Sequence, residues 1–253
     1  MIIRKSRAEI ETMARAGAVV AGTLALLEEQ LEPGVTTAEL DAIAEEFIRS
    51  QGGEPTFKGY RGYPAATCLS PNDMVVHGIP GPQAMAEGDI LSVDVGVTLD
   101  GFVADSAWTF PVGAIAPETQ RLLDVCRSAL EAGIAQARPG NTVSDISRAV
   151  QTVTEEAGFG VIRSLVGHGV GRAMHEDPQV PNFVTRHQGP ELREGMTIAI
   201  EPMITVGAPE VWIHDDEWSI STTDGSLAAH FEHTVAVTAE GPRILTERPV
   251  LVR

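Results

Sequence analysis

The chain has 253 residues, of which 43% are hydrophobic, enough to bury the core of one large domain or of two tightly joined halves. Its formal net charge of -17 argues against nucleic acid or an anionic membrane as the main partner, because both would repel an acidic protein. Only two cysteines occur, Cys68 and Cys126, so no disulfide framework is expected and a reducing compartment is compatible with the fold.

The first predicted element is a helix over residues 7–30. A basic N-terminal stretch followed by the apolar run 16–27 superficially resembles a secretory signal. Charged residues interrupt that pattern at Glu9, Glu11 and Arg15, and the helical spacing continues past the apolar run. The sequence therefore predicts a buried helix, and no stretch is expected to be long enough to cross a bilayer.

Two helical segments repeat at a fixed offset. The segment 33–52, PGVTTAELDAIAEEFIRSQG, matches the segment 139–158, PGNTVSDISRAVQTVTEEAG. Each has a threonine as the predicted N-cap three residues before an acid, Thr36 with Glu39 and Thr142 with Asp145. Each is also preceded by another predicted helix, over 7–30 in the first half and over 117–137 in the second. The chain is therefore expected to contain an internal duplication.

The segment DILSVDVGVTLDGFVADS, residues 89–106, predicts a β-hairpin that carries two carboxylates. Alternation places Asp94 on the face opposite its apolar neighbours, and the turn signal Asp100-Gly101 sets Asp94 opposite Ala107. Asp94 and Asp105 would then be diagonal neighbours on one face, roughly 5–8 Å apart at Cβ. For the hairpin alone two interpretations remain open: a solvated outer face of an antiparallel sheet, or two anions that share a cation.

The second half repeats this pair of acids. GMTIAIEP from Gly195 parallels GDILSVDV from Gly88, so that Glu201 falls on Asp94, and Glu232 follows as the counterpart of Asp105. The expected fold class is α+β: two pseudo-symmetric helix-helix-strand halves, approximately 1–112 and 113–253, that form a curved, mainly antiparallel sheet with helices outside. They would make a single domain over 1–253, with four acids converging at its midline.

The acids and one histidine predict a metal site. Four converging carboxylates without a cation would be driven to protonate. His168 is flanked by glycines, which allow its backbone to pass close to neighbouring groups, whereas His187, His214 and His233 are interpreted as satisfied or exposed rings. One imidazole with four carboxylates suits Mn²⁺, Fe²⁺ or Co²⁺, with Zn²⁺ also compatible. Two bridging acids would hold two ions roughly 3.5–4 Å apart, an arrangement suited to hydrolysis.

The same residues lie in blocks that resemble a known family. NDMVVHGIP, DGFVADSAWTF, GHGVGRAMHEDPQVPNF, GMTIAIEPM and FEHTVAVT are similar in order and spacing to the blocks of type I methionine aminopeptidase, over essentially the whole chain. The resemblance implies the pita-bread fold. It also implies that the enzyme hydrolyses the N-terminal peptide bond and so removes an initiator methionine when the second residue is small. The reaction would use two divalent metal ions (Co, Mn, Fe or Zn).

Roles follow from the resemblance residue by residue. It implies that Asp105 and Glu232 bridge the ions, that Asp94 binds one ion, and that His168 and Glu201 complete the other. Glu201 is also the implied proton acceptor and donor, while the matching positions suggest that His77 and His175 contact the scissile amide and stabilise the tetrahedral intermediate. The implied methionine pocket is apolar or soft, as a thioether requires, and is lined by Phe57, Tyr60, Tyr63, Cys68, Met174 and Trp218 together with His77 and His175.

Some positions depart from the family pattern. A phenylalanine is usual where Met174 stands, a small residue or cysteine is common where Phe57 stands, and His230 replaces a frequent glutamine beside Glu232. These departures affect the expected shape of the pocket and leave its apolar character unchanged. No role is predicted for His230 from the sequence.

Two other functions remain as alternatives. A proline-specific aminopeptidase or dipeptidase would share the metal ligands, although such enzymes usually carry an additional N-terminal domain, and only 76 residues precede His77 here. A non-catalytic pita-bread module that binds peptides would commonly have lost ligands. The implied partners are the N-termini of nascent polypeptides, which the enzyme would meet near the ribosome. Neither nucleic acid nor a membrane is expected as a partner. The implied protein is cytoplasmic and monomeric.

Overall fold

The computed structural model describes residues 1–248 and contains four α-helices and fifteen short strands within that range. The helices are α1 Arg7–Gln30, α2 Thr37–Ser50, α3 Pro117–Ala135 and α4 Val143–Glu156. The strands of the first half are β1 Glu54–Pro55, β2 Cys68–Pro71, β3 Met74–Val76, β4 Ile90–Leu99 and β5 Phe102–Pro111. The strands that follow are β6 Gly160–Val161, β7 Gly167–Gly169, β8 Glu176–Val180, β9 Thr197–Ile200, β10 Met203–Thr205, β11 Val211–Ile213, β12 Ile220–Thr222, β13 Ala228–His230, β14 His233–Thr238 and β15 Gly241–Ile244.

The predicted helix starts are confirmed. The side chain of Glu39 accepts a hydrogen bond from the backbone amide of Thr36 at 2.9 Å, and Asp145 accepts the equivalent bond from Thr142 at 2.8 Å. These bonds satisfy amides that have no partner inside the helix. The predicted helix over 117–137 ends two residues earlier than expected, at Ala135.

Helix α1 corrects the expectation that no segment is long enough to cross a bilayer. Within the described residues it is the one helix with sufficient length and apolar composition to do so. Its apolar face, however, is packed inside the protein, with Met13, Val20 and Leu24 fully buried. Much of that face contributes to the core around β4 and β5. Helix α1 is therefore a core helix, as the charged residues near its start indicated.

All strand pairs are antiparallel, and the α+β class is confirmed. The β4–β5 hairpin has the predicted register, with Asp94 opposite Ala107. Backbone pairing divides the strands into four sheets: β1-β4-β2 with β5 on β4, β13-β10-β6, β11-β12-β3, and β15-β14-β9-β7-β8. Three of these sheets lie within one half, whereas β3 of the first half pairs with β12 of the second. Each helix pair packs against strands of its own half.

Side-chain and backbone hydrogen bonds join the two halves where β5 meets β14. The hydroxyl of Thr234 donates to the carbonyl of Asp105 at 2.8 Å and accepts from the amide of Asp105 at 3.0 Å. The hydroxyl of Ser106 donates to the carbonyl of Glu232 at 2.5 Å, and the amide of Glu232 donates to the carbonyl of Ala107 at 2.8 Å. The midline between the halves is therefore where Asp105 and Glu232 lie.

Candidate active site

Four acids and His168 face a common cavity of about 320 Å³, which three further histidines also line. Asp94 lies on β4, Asp105 on β5 and His168 on β7, while Glu201 follows β9 and Glu232 precedes β14. Asp105, His168 and Glu232 each offer one ligand atom, and these three atoms lie within 4.8 Å of one another. The Nε2 atom of His168 is 3.5 Å from Oε1 of Glu201 and 3.8 Å from Oδ2 of Asp105. The duplication therefore brings residues from distant parts of the chain to one point.

The ring of His168 is oriented by its own neighbourhood. Its Nδ1 lies 2.8 Å from the carbonyl oxygen of Gly169, and because a carbonyl only accepts, Nδ1 carries the proton. Nε2 is then the atom with a free lone pair, directed at the acids. The predicted reason for the flanking glycines is also confirmed, since a Cβ on Gly169 would lie 2.2 Å from the carbonyl oxygen of Asp177.

The residues fit divalent metal ions. Four buried polar atoms around the cavity have no hydrogen-bond partner within residues 1–248, namely Oδ1 of Asp94, Oδ1 of Asp105, Oε1 of Glu232 and Nε2 of His230. Buried polar atoms without partners are costly, and bound cations would satisfy the carboxylate oxygens. A donor set of carboxylates with imidazole matches Mn²⁺, Fe²⁺, Co²⁺ and Zn²⁺.

Without a cation the acids repel one another. Burial raises the pKa of Asp94 to about 7. Burial, reinforced by the neighbouring acids, raises the pKa values of Asp105, Glu201 and Glu232 well above their usual range. Burial lowers the pKa of His168 to about 4, so its ring is neutral and able to ligate near pH 7. Positive charge between the acids would lower the pKa values of the carboxyl groups again.

These shifts predict a pH-dependent effect of Asp94→Asn on the metal-free protein. A carboxyl whose folded pKa is raised from 3.8 to about 7 loses its stabilising contribution as the pH rises through that interval. Asparagine does not titrate, so the melting temperature of the metal-free variant should exceed that of the unsubstituted protein by more at pH 8 than at pH 5. Thermal unfolding in the presence of a chelator measures the difference, and a difference that does not change with pH would contradict the assignment.

The eight residues expected to line the methionine pocket all line this cavity: Phe57, Tyr60, Tyr63, Cys68, His77, Met174, His175 and Trp218. The rings of Tyr63 and Trp218 meet edge to face with centroids 5.1 Å apart, and Phe57 contacts Tyr63 in the same way at 6.5 Å. Gly96 makes room for this wall, because a Cβ there would lie 2.8 Å from the Phe57 ring. The result is a largely aromatic pocket beside the acids.

Two of the histidines that line the cavity, His77 and His175, were expected to contact the substrate. The Nδ1 atom of His175 is 3.0 Å from the hydroxyl of Tyr60, and the ring of His175 lies 4.2 Å from that of His168. His77 has a positive φ of 59°, a strained conformation for a non-glycine residue that is typical of functional sites. Burial, assisted by the charge of His175, lowers the pKa of His77 to about 4.

A buried ion pair fixes the turn that carries His175. One carboxylate oxygen of Glu176 accepts hydrogen bonds from the amides of Arg172 and Ala173 at 2.7 and 3.2 Å. The other accepts from the ammonium of Lys5 at 2.5 Å, and these two side chains are only 1% and 6% exposed. The N-terminal segment thus anchors the turn, a contact that the sequence pattern did not indicate.

His230 and Arg61 also line the cavity, although neither was assigned a role from the sequence. The guanidinium of Arg61 lies over the Tyr60 ring, 5.3 Å from its centroid. Nε2 of His230 faces Glu201 and Glu232. The only sequence signal for His230 was its departure from a frequent glutamine.

Comparison with known proteins identifies the family of the chain. The family model of metallopeptidase family M24 matches residues 11–239. The methionine aminopeptidase of Clostridium perfringens is 48% identical over 246 residues, which cover 97% of this chain and 99% of that protein. The crystal structure of a methionine aminopeptidase from Thermotoga maritima superposes with a TM-score of 0.96 at 44% identity, covering 98% of this chain and 100% of that one.

A prolidase from Pyrococcus furiosus shares the fold alone, with a TM-score of 0.80 at 22% identity over 98% of this chain and 66% of the prolidase. The expected pita-bread fold is confirmed by the methionine aminopeptidase structures, and the full-length identity separates this chain from the proline-specific enzymes. The chain belongs to metallopeptidase family M24, among its type I methionine aminopeptidases.

Proposed function

We propose that this methionyl aminopeptidase uses two divalent metal ions to remove the initiator methionine from nascent polypeptides whose second residue is small. The observation that carries the proposal is the cavity in which four carboxylates and His168 face an aromatic pocket. Such a cavity joins a hydrolytic centre to a binding site for an apolar side chain.

Asp105 and Glu232 would contact both ions, as the family resemblance implies. Both are buried and lie at the midline between the halves, which is compatible with that role. Asp94 would bind one ion, and His168 with Glu201 the other. The ions would be Co²⁺, Mn²⁺, Fe²⁺ or Zn²⁺, in keeping with the mixed oxygen and nitrogen donors. When bound, they would supply Lewis acidity to the scissile carbonyl and to the attacking water.

The protein's own groups would move the protons. Glu201 would accept a proton from the attacking water and return it to the leaving amine. The Tyr60 hydroxyl can donate to Nδ1 of His175, which leaves the ring proton on Nε2, and that N–H would donate to the developing oxyanion. His77, at the other side of the pocket beside Trp218, would contact the scissile amide.

The pocket would select methionine through soft, apolar contacts. A thioether makes favourable contacts with aromatic rings, and Phe57, Tyr63 and Trp218 line the pocket. Met174 also lines the pocket and adds a flexible, sulfur-containing side chain.

The remaining proposals concern the whole protein. The chain would act as one catalytic domain over 1–253, with halves approximately 1–112 and 113–253, although residues 249–253 lie outside those that the structure describes. It would act as a monomer in the cytoplasm, on N-termini emerging near the ribosome.

Peptide cleavage tests the proposed specificity. The metal-loaded enzyme should release methionine from Met-Ala and Met-Gly peptides and leave Met-Leu and Met-Lys peptides largely intact, because a larger second residue would not fit beside the metal centre. Formyl-Met-Ala, whose amine is blocked, is the matched control and should not be cleaved. Efficient release of leucine or arginine, or of a residue before proline, with Met-Ala peptides left intact would refute the proposal.

A further inference from the structure

His230 is held rigidly at the wall of the cavity. It ends β13, where it pairs with Met203 of β10, and its side chain is buried. The Thr109 hydroxyl accepts from the His230 amide at 2.9 Å and donates to its carbonyl at 2.8 Å. The backbone is therefore fixed on both sides, which limits the positions that the ring can take.

The Nε2 atom of His230 has no hydrogen-bond partner among the described residues. It lies 3.8 Å from Oε2 of Glu201 and 4.0 Å from Oε2 of Glu232. These separations are too long for hydrogen bonds. They are compatible with two ligands of one ion, because ligand atoms each about 2.0–2.2 Å from a metal can be as much as roughly 4 Å apart.

His168 has the same relation to the acids. Its Nε2 lies 3.5 Å from Oε1 of Glu201, whereas His230 approaches Oε2 of the same carboxylate. Glu201 thus stands between two imidazoles, and each imidazole also faces one of the buried midline acids, Asp105 for His168 and Glu232 for His230. Two imidazole nitrogen atoms therefore approach the acid cluster, each beside a different oxygen of Glu201.

Not every buried histidine in this region has that geometry. His233, three residues further along, is also buried, but its Nδ1 lies 2.9 Å from the hydroxyl of Thr246 and its ring packs beside Trp108. It does not line the cavity. His233 therefore serves as a matched control for a buried imidazole without a proposed metal role.

We propose that Nε2 of His230 is an additional metal ligand, on the ion held by Glu201 and Glu232. The proposal rests on the proposed two-metal function and adds a second nitrogen donor to it. Imidazole suits Zn²⁺, Co²⁺ and Fe²⁺ better than Mn²⁺, whereas carboxylates accept all four. His230 should therefore shift the preference of the centre towards the metals that bind nitrogen strongly.

Proton NMR of the Co²⁺-loaded enzyme counts coordinated histidines directly. Each imidazole bound through Nε2 retains an exchangeable N–H on the same ring, and cobalt shifts its signal far outside the normal spectrum. The unsubstituted enzyme with two Co²⁺ ions should show two such signals. His230→Gln should show one, and His233→Gln should still show two. Calorimetric titration should show affinity for Zn²⁺ and Co²⁺ falling at least tenfold in His230→Gln, with a smaller change for Mn²⁺.

The outcomes separate this proposal from the one on which it rests. Two bound ions with only one shifted imidazole signal in the unsubstituted enzyme would overturn the role of His230 and leave the two-metal function standing. Failure of that enzyme to bind Co²⁺ at all would overturn both. The number of shifted imidazole signals in the unsubstituted enzyme decides whether a second histidine binds metal, even if His230→Gln does not fold.

Discussion

Asp105→Asn or Glu232→Gln should abolish most of the activity. Each change removes one negative charge from a proposed bridge while keeping the side chain nearly isosteric, so the expected cause is weaker metal binding. Substitutions that only support a metal ligand already cost about 10–100-fold, so loss of a bridging ligand should lower kcat/KM by more than about 100-fold. Metal content after dialysis and kinetics on a Met-Ala peptide measure both effects.

Asp177→Asn is the control for these two variants. Asp177 is largely exposed and pairs with the N-terminal amine, away from the acid cluster. The Asp177→Asn substitution removes the same charge from the protein without changing a proposed ligand. Activity and metal content should therefore remain near those of the unsubstituted enzyme. Unchanged metal stoichiometry and turnover in both bridge variants would contradict the bridging assignment.

His175→Ala should separate catalysis from metal binding. If His175 donates a hydrogen bond to the oxyanion, its loss acts mainly on the transition state, and kcat should fall by roughly 10²–10³-fold. KM should change far less, because the bound peptide barely uses that donor before reaction. Both ions should remain bound, since His175 is not a proposed ligand.

Two companion variants sharpen that test. His168→Ala should weaken one metal site and be partly rescued by added metal, unlike His175→Ala. Tyr60→Phe keeps the ring stacked on His175 but removes the hydroxyl 3.0 Å from Nδ1, so it should lower kcat through the orientation of His175. Metal loss in His175→Ala, or an unaltered kcat, would show that this histidine has a different role.

Much of the site was predictable because its determinants are local. The alternation around Asp94 and the Asp100-Gly101 turn fix the register of one hairpin, and the structure has that register. The duplication then indicated where Glu201 and Glu232 should be sought. The capping residues Thr36 and Thr142 likewise marked helix starts, since an N-cap depends on neighbours only three residues away.

Other features depend on contacts that no local pattern encodes. The pair of Lys5 with Glu176 joins residues 171 positions apart, so no local pattern indicated that the N-terminus anchors the turn carrying His175. The backbone of His230 is held by Thr109, which lies on the other half of the protein. The hydrogen bonds that join the halves at the midline, such as that between Thr234 and Asp105, likewise connect residues 129 positions apart.

Metal add-back to the stripped enzyme tests most directly whether release of an N-terminal methionine depends on metal. Protein freed of metal by a chelator and then dialysed should not cleave a Met-Ala peptide, although it should remain folded by circular dichroism. Addition of Mn²⁺, Fe²⁺ or Co²⁺, each separately, should restore methionine release, with activity rising as the cavity of carboxylates fills. Full activity in rigorously metal-free protein would contradict the account.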